Sequence, residues 1–143
     1  MRTHTHWTGL AASDRNASVA MGNFDGVHLG HQSVIKQAAQ HGGPLGVVTF
    51  EPHPRQFFAP AAPAFRLMNS EARAHRLAKL GVEQLYELPF DATLAGMSAE
   101  EFVAEVLVRG LAVSNVTVGS DFCCGKGRKG TVATLHDLAQ KHG

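Results

Sequence analysis

Two histidines three residues apart, His28 and His31, are the side chains of this chain best suited to chemistry on a phosphate. They lie in the run GNFDGVHLGH (22–31), which follows a short apolar stretch and precedes a helical pattern. A helix start attracts anions, and side chains at i and i+3 share one helix face, so both imidazoles can reach the same anion. Gly30 removes a side chain where a ligand would approach the backbone. The pattern predicts a phosphate-binding site in which imidazoles donate hydrogen bonds and charge to a transition state, with helix capping or plain surface histidines as the alternative.

A second segment, TFEPHPRQFF (49–58), follows the next apolar run along the chain. Its prolines restrict the backbone, and Phe57 and Phe58 could either cover a flat ring or fill the core.

A third segment, GSDFCCGKGRKG (119–130), follows another apolar run. Its G-x-G-x-x-G pattern is a weak match to a dinucleotide fingerprint, because the chain leaves too little sequence after Gly130 for the acidic ribose partner. We interpret the segment as a mobile basic loop whose Lys126, Arg128 and Lys129 can contact phosphates, with a solvated surface loop as the alternative.

Alternating apolar runs and helical patterns must position these three segments. They predict strands over 18–24, 45–50, 84–88 and 115–119, and helices over 28–41, 70–80, 98–109 and 131–141. This order predicts an α/β fold with a mostly parallel sheet, in which ligands bind beyond the carboxyl ends of the strands. We expect residues 1–17 to be a polar, poorly ordered leader and residues 18–143 to be one domain. The chain stops after a predicted helix where another strand would normally follow, so it looks truncated.

Composition narrows the class of function. The chain has 143 residues, 44% of them hydrophobic and 17% charged, with a formal net charge of +1. This balance favours a globular protein that lacks the positive electrostatic field needed to bind nucleic acid or a membrane surface. No apolar run is long enough to span a bilayer. The adjacent Cys123 and Cys124 are interpreted as reduced thiols of a cytoplasmic protein, and a zinc site using His136 is disfavoured. No G-x-S-x-G motif occurs, which fits a reaction that needs no protein nucleophile.

Taken together and in this order, the three segments resemble bacterial FAD synthetase, the bifunctional riboflavin kinase/FMN adenylyltransferase, from about Val19 to the end. GNFDGVHLGH resembles its form of the nucleotidyltransferase HxGH motif, TFEPHPRQFF its flavin loop, and VGSDFCCGKGRKG its G-x-D-F-x-F-G-x-x-R-x-G loop. FRLMNSEARAHRLAKLGVEQL and LPFDATLAGMSAEEF resemble the middle of the same module. The resemblance implies a Rossmann-like, HUP-type nucleotidyltransferase sheet with helices on both faces and its C-terminal part missing.

The resemblance also implies a reaction, in which FMN and ATP give FAD and pyrophosphate with Mg²⁺. The FMN phosphate is the nucleophile and attacks the α-phosphorus in line, so the enzyme contributes position and charge neutralisation. His28 and His31 would be the catalytic residues. The implied ATP-binding residues are Gly22, Asn23, Phe24, His28, Gly30 and His31, the implied flavin-binding residues are Pro52, Pro54, Phe57, Asp121 and Phe122, and Lys126 and Arg128 would contact phosphates. A riboflavin kinase module is expected as the C-terminal partner in the full-length chain.

This sequence departs from the family pattern in three places. Cys124 stands where the family usually has an aromatic residue that helps to hold the flavin, and Ser120 stands where it usually has an acidic residue. The family's Ser-Ser/Thr-x-x-Arg segment is expected after residue 143. Three alternatives therefore stay open: a related transferase acting on pantetheine phosphate or a polyol phosphate, a non-catalytic flavin- or nucleotide-binding fragment, and a metal-binding module built on Cys123, Cys124 and histidines.

Overall fold

A single parallel sheet organises the chain. The structure is a computed structural model, and it describes residues 1–22, 24, 29–51, 70–119, 123–124 and 130–131. The strands are β1 (Arg2–His4), β2 (Ser18–Met21), β3 (Leu45–Glu51), β4 (Gln84–Pro89) and β5 (Asn115–Val118), all parallel and in the order β1-β4-β3-β2-β5. The predicted α/β fold class is confirmed.

Helices cover both faces of this sheet, as predicted. They are α1 (Leu29–Ala39), α2 (Ser70–Lys79), α3 (Ala92–Ala95), α4 (Ala99–Glu101) and a π-helix (Phe102–Gly110), with a 3₁₀ turn at Ala12–Asp14. Because side chains alternate along a strand, Val19 packs on one face and Ala20 on the other. The face of α1 and α2 buries Ala20, Ile35, Ala38, Val47, Leu77 and Leu85, and the face of the π-helix buries Trp7, Val19, Met21, Tyr86, Phe102 and Val106.

The predicted elements between residues 18 and 118 begin and end within three residues of the observed ones, and the short helix α3 was not predicted. The first predicted strand runs to Phe24, whereas β2 ends at Met21. Phe24 has a φ of 52°, which is left-handed backbone and cannot continue a strand. The last helix was predicted to begin at Thr131, whereas Thr131 lies in a short strand and residues 132–143 lie outside the described residues.

The expectation that the polar leader is poorly ordered is wrong. β1 pairs in parallel with β4, with Arg2 opposite Gln84, and the side chain of Trp7 is only 8% exposed. The backbone N–H of Asn16 donates to the carbonyl of Leu111 at 3.2 Å. Burial of an indole and pairing of the strand's backbone groups offset the entropy lost by ordering this polar segment.

The predicted helix over 98–109 is present, but most of it has π geometry. Its predicted capping box is confirmed, since the Ser98 side chain accepts from the Glu101 N–H and the Glu101 side chain accepts from the Ser98 N–H. At the other end, the N–H of Leu111 donates to the carbonyl of Val106, five residues back, at 2.8 Å. Apolar residues four apart fit either kind of helix, so the pattern alone did not separate them.

The third segment includes a two-stranded antiparallel ladder that was not predicted. β6 (Cys123–Cys124) pairs with β7 (Gly130–Thr131), with Cys124 opposite Gly130. The two ends of the predicted basic loop are therefore held together by backbone hydrogen bonds.

Candidate functional site

The sheet changes its winding direction between β2 and β5. From β2 the chain proceeds to β3 and β4 on one side, whereas β5 is added on the other side of β2. In open parallel sheets, ligands bind at such a switch point, outside the carboxyl ends of the strands. Met21 lies opposite Val118 in the ladder, so Gly22 and Gly119 leave neighbouring strands at the same edge. The first and third chemistry-bearing segments therefore begin side by side.

Polar contacts at the opposite edge of the sheet fix the direction of α1. The Ser18 hydroxyl donates to the carbonyl of Ala38 at 2.7 Å, and the Asn115 side-chain amide donates to the Ser18 oxygen at 3.2 Å. Buried Ile35 and Ala38 hold the helix against the sheet. Because its last turn is tied to the amino ends of β2 and β5, the first turn of α1 lies toward the switch point. The positive end of its dipole therefore lies toward the place where a phosphate would bind.

Phe24 and His31 contact each other at this edge. The Phe24 side chain is 2% exposed, and its ring meets the His31 ring edge-on with the centroids 5.2 Å apart and an angle of 69° between the planes. The N–H of Gly22 extends the ladder by donating to the carbonyl of Val48 at 3.0 Å. The left-handed backbone of Phe24 costs on the order of 1–2 kcal/mol, and strain of this kind tends to occur where a site needs it. Here it turns the chain out of β2 and places an aromatic wall beside His31.

Four of the predicted ATP-binding residues fall within the described part of the chain. Gly22 follows β2, Phe24 lies in the core, Gly30 is exposed in the first turn of α1, and His31 is half-buried in that same turn. The structure brings these four to one edge of the sheet, and their binding to ATP stays a prediction. The other predicted site residues lie outside the described residues, namely Asn23, His28, Pro52, Pro54, Phe57, Asp121, Phe122, Lys126 and Arg128.

A buried arginine near this edge was missed by the sequence reasoning. The Arg73 side chain in the first turn of α2 is fully buried, and its Nη2 lies 3.2 Å from Glu51 Oε2 and 3.4 Å from Glu87 Oε2. Glu51 is the last residue of β3 and Glu87 lies in β4. An arginine in a helix with many charged residues looks like a solvent-facing one, so no sequence signal pointed to it.

The described residues offer no metal centre. Among them, no three His, Cys, Asp or Glu side chains converge. They also contain no helix long and apolar enough to cross a bilayer.

The chain matches the FAD synthetase family over residues 10–143. It is 40% identical to the bifunctional riboflavin kinase/FMN adenylyltransferase of Pseudomonas fluorescens over 138 residues, which is 94% of this chain and 44% of that protein. It is 38% identical to the protein of the same name from Listeria monocytogenes over 142 residues, or 96% of this chain and 43% of that protein. The chain thus spans less than half the length of these curated relatives.

A solved structure supports the fold. The crystal structure titled as a macrolide-efflux protein from Streptococcus pneumoniae superposes with a TM-score of 0.82 at 26% identity, over 96% of this chain and 46% of that one. This likeness concerns the architecture of the chain. The family match spans nearly the whole sequence and includes the segments that meet at the switch point. The chain therefore belongs to the FAD synthetase family.

Proposed function

We propose that this protein transfers AMP from ATP to FMN, giving FAD and pyrophosphate. The observation that carries the proposal is the position of His31, in the first turn of α1 at the carboxyl edge between β2 and β5. Family membership supports the choice of FMN as acceptor. The relatives are named as FMN adenylyltransferases in part, which supports the same choice.

In the proposed reaction, an oxygen of the FMN phosphate attacks the α-phosphorus of ATP. The bond from that phosphorus to the bridging oxygen breaks, and pyrophosphate leaves with the electron pair. His31, together with His28, donates hydrogen bonds to phosphate oxygens as their charge grows, and the first turn of α1 adds its dipole. No side chain forms a covalent intermediate, so positioning and charge neutralisation account for the rate.

We assign each of the remaining predicted residues to the binding site of one of the two substrates. We assign Gly22, Asn23, Phe24 and Gly30 to ATP, and we assign Pro52, Pro54, Phe57, Asp121 and Phe122 to the flavin. Lys126 and Arg128 are proposed to contact phosphates. Mg²⁺ is proposed as the companion of ATP, where it would neutralise phosphate charge. Because the described residues hold no converging ligands, we assign it no side chain and no step.

The proposed catalytic domain is 18–143, and residues 1–17 contribute the edge strand β1 and the Trp7 contact to its sheet. We propose a riboflavin kinase module as its partner in the longer protein, because the relatives combine both activities in one name and the chain spans under half of their length. The proposed compartment is the cytoplasm, where ATP is plentiful. A net charge of +1 gives no reason to propose nucleic acid or membrane as a partner.

The test is FAD formation from FMN and ATP, followed by chromatography. We expect FAD and pyrophosphate in equal amounts, and we expect His31→Ala to lower kcat by roughly 10²–10³-fold, the scale of losing one transition-state donor. His75→Ala is the matched control, because His75 is an exposed histidine on α2, and its kcat should stay unchanged. Absence of FAD, or preferred adenylylation of pantetheine phosphate or a polyol phosphate, contradicts the proposal.

A further inference from the structure

Arg73 contacts the last residue of β3 and lies near the start of α2, the two described elements on either side of residues 52–69. Glu51 ends β3 and is joined directly to Pro52, while Ser70 begins α2 three residues before Arg73. The contact between Arg73 and Glu51 therefore ties together the two ends of residues 52–69. This is the part of the chain whose first residues resemble the flavin loop.

The burial of this guanidinium indicates a specific role. The Arg73 side chain is 0% exposed, whereas the carboxylates of Glu87 and Glu51 are 12% and 41% exposed. A buried cation is costly unless it is paired, and hydrophobic residues of similar volume would often stabilise such a position equally well. Both carboxylates contact the same Arg73 nitrogen, Nη2, so one guanidinium group links residues of two neighbouring strands.

We propose that Arg73 is a positioning residue for the flavin, since it fixes Glu51 against β4 through Glu87 and so holds the end of β3, to which Pro52 is joined. This inference rests on the proposed function, because it names the substrate that the positioned segment serves. Arg73 touches neither substrate in the proposal. Its effect passes through the backbone at Glu51.

An electrostatic role would give a different result from a positioning role. Arg73→Met removes a positive charge and leaves two carboxylates, whereas Glu51→Gln removes a negative charge. If Arg73 acted only through charge, these two variants would shift the affinity for an anionic substrate in opposite directions. If Arg73 acts by positioning, both variants break the same ion pair between Arg73 and Glu51 and shift the affinity in the same direction. Riboflavin, which lacks the phosphate, isolates the effect on the ring system.

The experiment measures FMN and riboflavin binding by quenching of flavin fluorescence, together with KM for FMN and for ATP. We expect Arg73→Met and Glu51→Gln each to weaken binding of both flavins by about tenfold and to change KM for ATP by less than about twofold, as misplacement of one substrate's subsite predicts. Arg73→Lys keeps the positive charge but loses the planar guanidinium. Its affinity for the flavins should lie between those of wild type and Arg73→Met. Arg76→Met, an exposed arginine on the same helix, is the matched control and should bind like wild type.

The outcomes separate this inference from the function on which it rests. Glu51→Gln removes only a half-exposed carboxylate, so it keeps the test open even if Arg73→Met fails to fold. The inference is overturned if wild type binds FMN and forms FAD while both variants bind flavins equally well, if the two variants shift binding in opposite directions, or if KM for ATP changes as much as KM for FMN. Wild-type protein that binds neither flavin overturns the proposed function itself.

Discussion

Three described residues that carry a Cβ hold left-handed backbone: Asn16 with a φ of 68°, Phe24 with 52° and Ala112 with 50°. At Phe24 this conformation turns the chain from β2 toward His31 and serves the candidate site. Ala112 follows the π-helix and has no part in the candidate site, so its left-handed backbone serves no proposed function. Phe24 and Ala112 should therefore respond differently to glycine, which adopts positive φ without steric cost.

Ala112→Gly should stabilise the protein by about 0.5–1 kcal/mol, because relief of the left-handed strain exceeds the added entropy of the unfolded chain. Urea unfolding followed by Trp7 fluorescence measures the change, since the sequence has one tryptophan. Ala78→Gly, at an exposed position inside α2, is the control and should destabilise by about 1 kcal/mol. A loss of stability in Ala112→Gly would contradict the strain argument.

The candidate site was only partly predictable at this scale. The types and spacing of His28 and His31 after an apolar run predict a phosphate site, because helix starts and imidazoles have general affinities for anions. Arg73 was not predictable, because its importance comes from complete burial between Glu51 and Glu87. Those carboxylates are 22 and 14 residues away in sequence, and only the strand register brings them together.

Among the elements, the helix that begins after Ser98 depends on its capping box. Ser98→Ala should destabilise the protein by about 1 kcal/mol, because the N–H of Glu101 loses its side-chain acceptor. Ser33→Ala is the control, since Ser33 is an exposed position within α1 where alanine is the better helix former. Chemical unfolding should show a lower free energy of unfolding for Ser98→Ala and no decrease for Ser33→Ala. Equal effects of the two substitutions would argue against the cap.

The π-helix ends against the leader at Gly110. A Cβ at Gly110 would lie 2.6 Å from the Trp7 carbonyl oxygen and 2.9 Å from the Trp7 Cβ, which are backbone and near-backbone atoms that cannot move aside alone. Gly110→Ala should therefore destabilise by about 1–3 kcal/mol through overpacking.

Trp7 fluorescence should shift to longer wavelength in Gly110→Ala as the indole gains exposure. Val108→Ala changes a residue that is 40% exposed on the same helix and should leave that emission unchanged. An unaltered spectrum together with unaltered stability in Gly110→Ala would show that the leader does not dock there.

The elements show which signals a sequence carries well. β3 is a buried apolar run, and its bounds were predicted closely because burial on both faces leaves a continuous pattern. β1 was missed because Arg2–His4 is short and polar and pairs along a single edge, with β4. The π geometry of Phe102–Gly110 was missed because the same buried residues suit an α-helix.

For the molecule as a whole, alkaline pH should lower the free energy of unfolding through ionisation of Tyr86. Burial, and then the nearby charge of Asp14, raise the pKa of Tyr86 from 10.0 to about 12. The folded state thus holds the phenolic proton more tightly than the unfolded state does. The resulting stability is complete below pH 10 and is lost as the pH rises toward 12, by about 2–3 kcal/mol in total.

Tyr86 is the one tyrosine in the sequence, so near-ultraviolet absorbance of tyrosinate reports its titration directly. We expect a midpoint near 12 in the folded protein. Tyr86→Phe should lose about 1 kcal/mol at neutral pH with its hydrogen bond to the Asp14 carbonyl, and should show a flatter fall in unfolding free energy above pH 10. A wild-type midpoint near 10 would contradict the burial argument.

The pairing of β1 with β4 also bears on how the protein is made. His4 and its hydrogen-bond partner Gln84 are 80 residues apart. At ribosomal rates of roughly 5–20 residues per second, β1 therefore waits roughly 4–16 seconds for synthesis of the strand with which it pairs. During that wait β1 has no neighbouring strand with which to pair, and Trp7 lacks its contact with Gly110. β1 can therefore pair only after β2, β3 and β4 have been made, although it precedes all three in the sequence, and β5 completes the other side of the sheet later still.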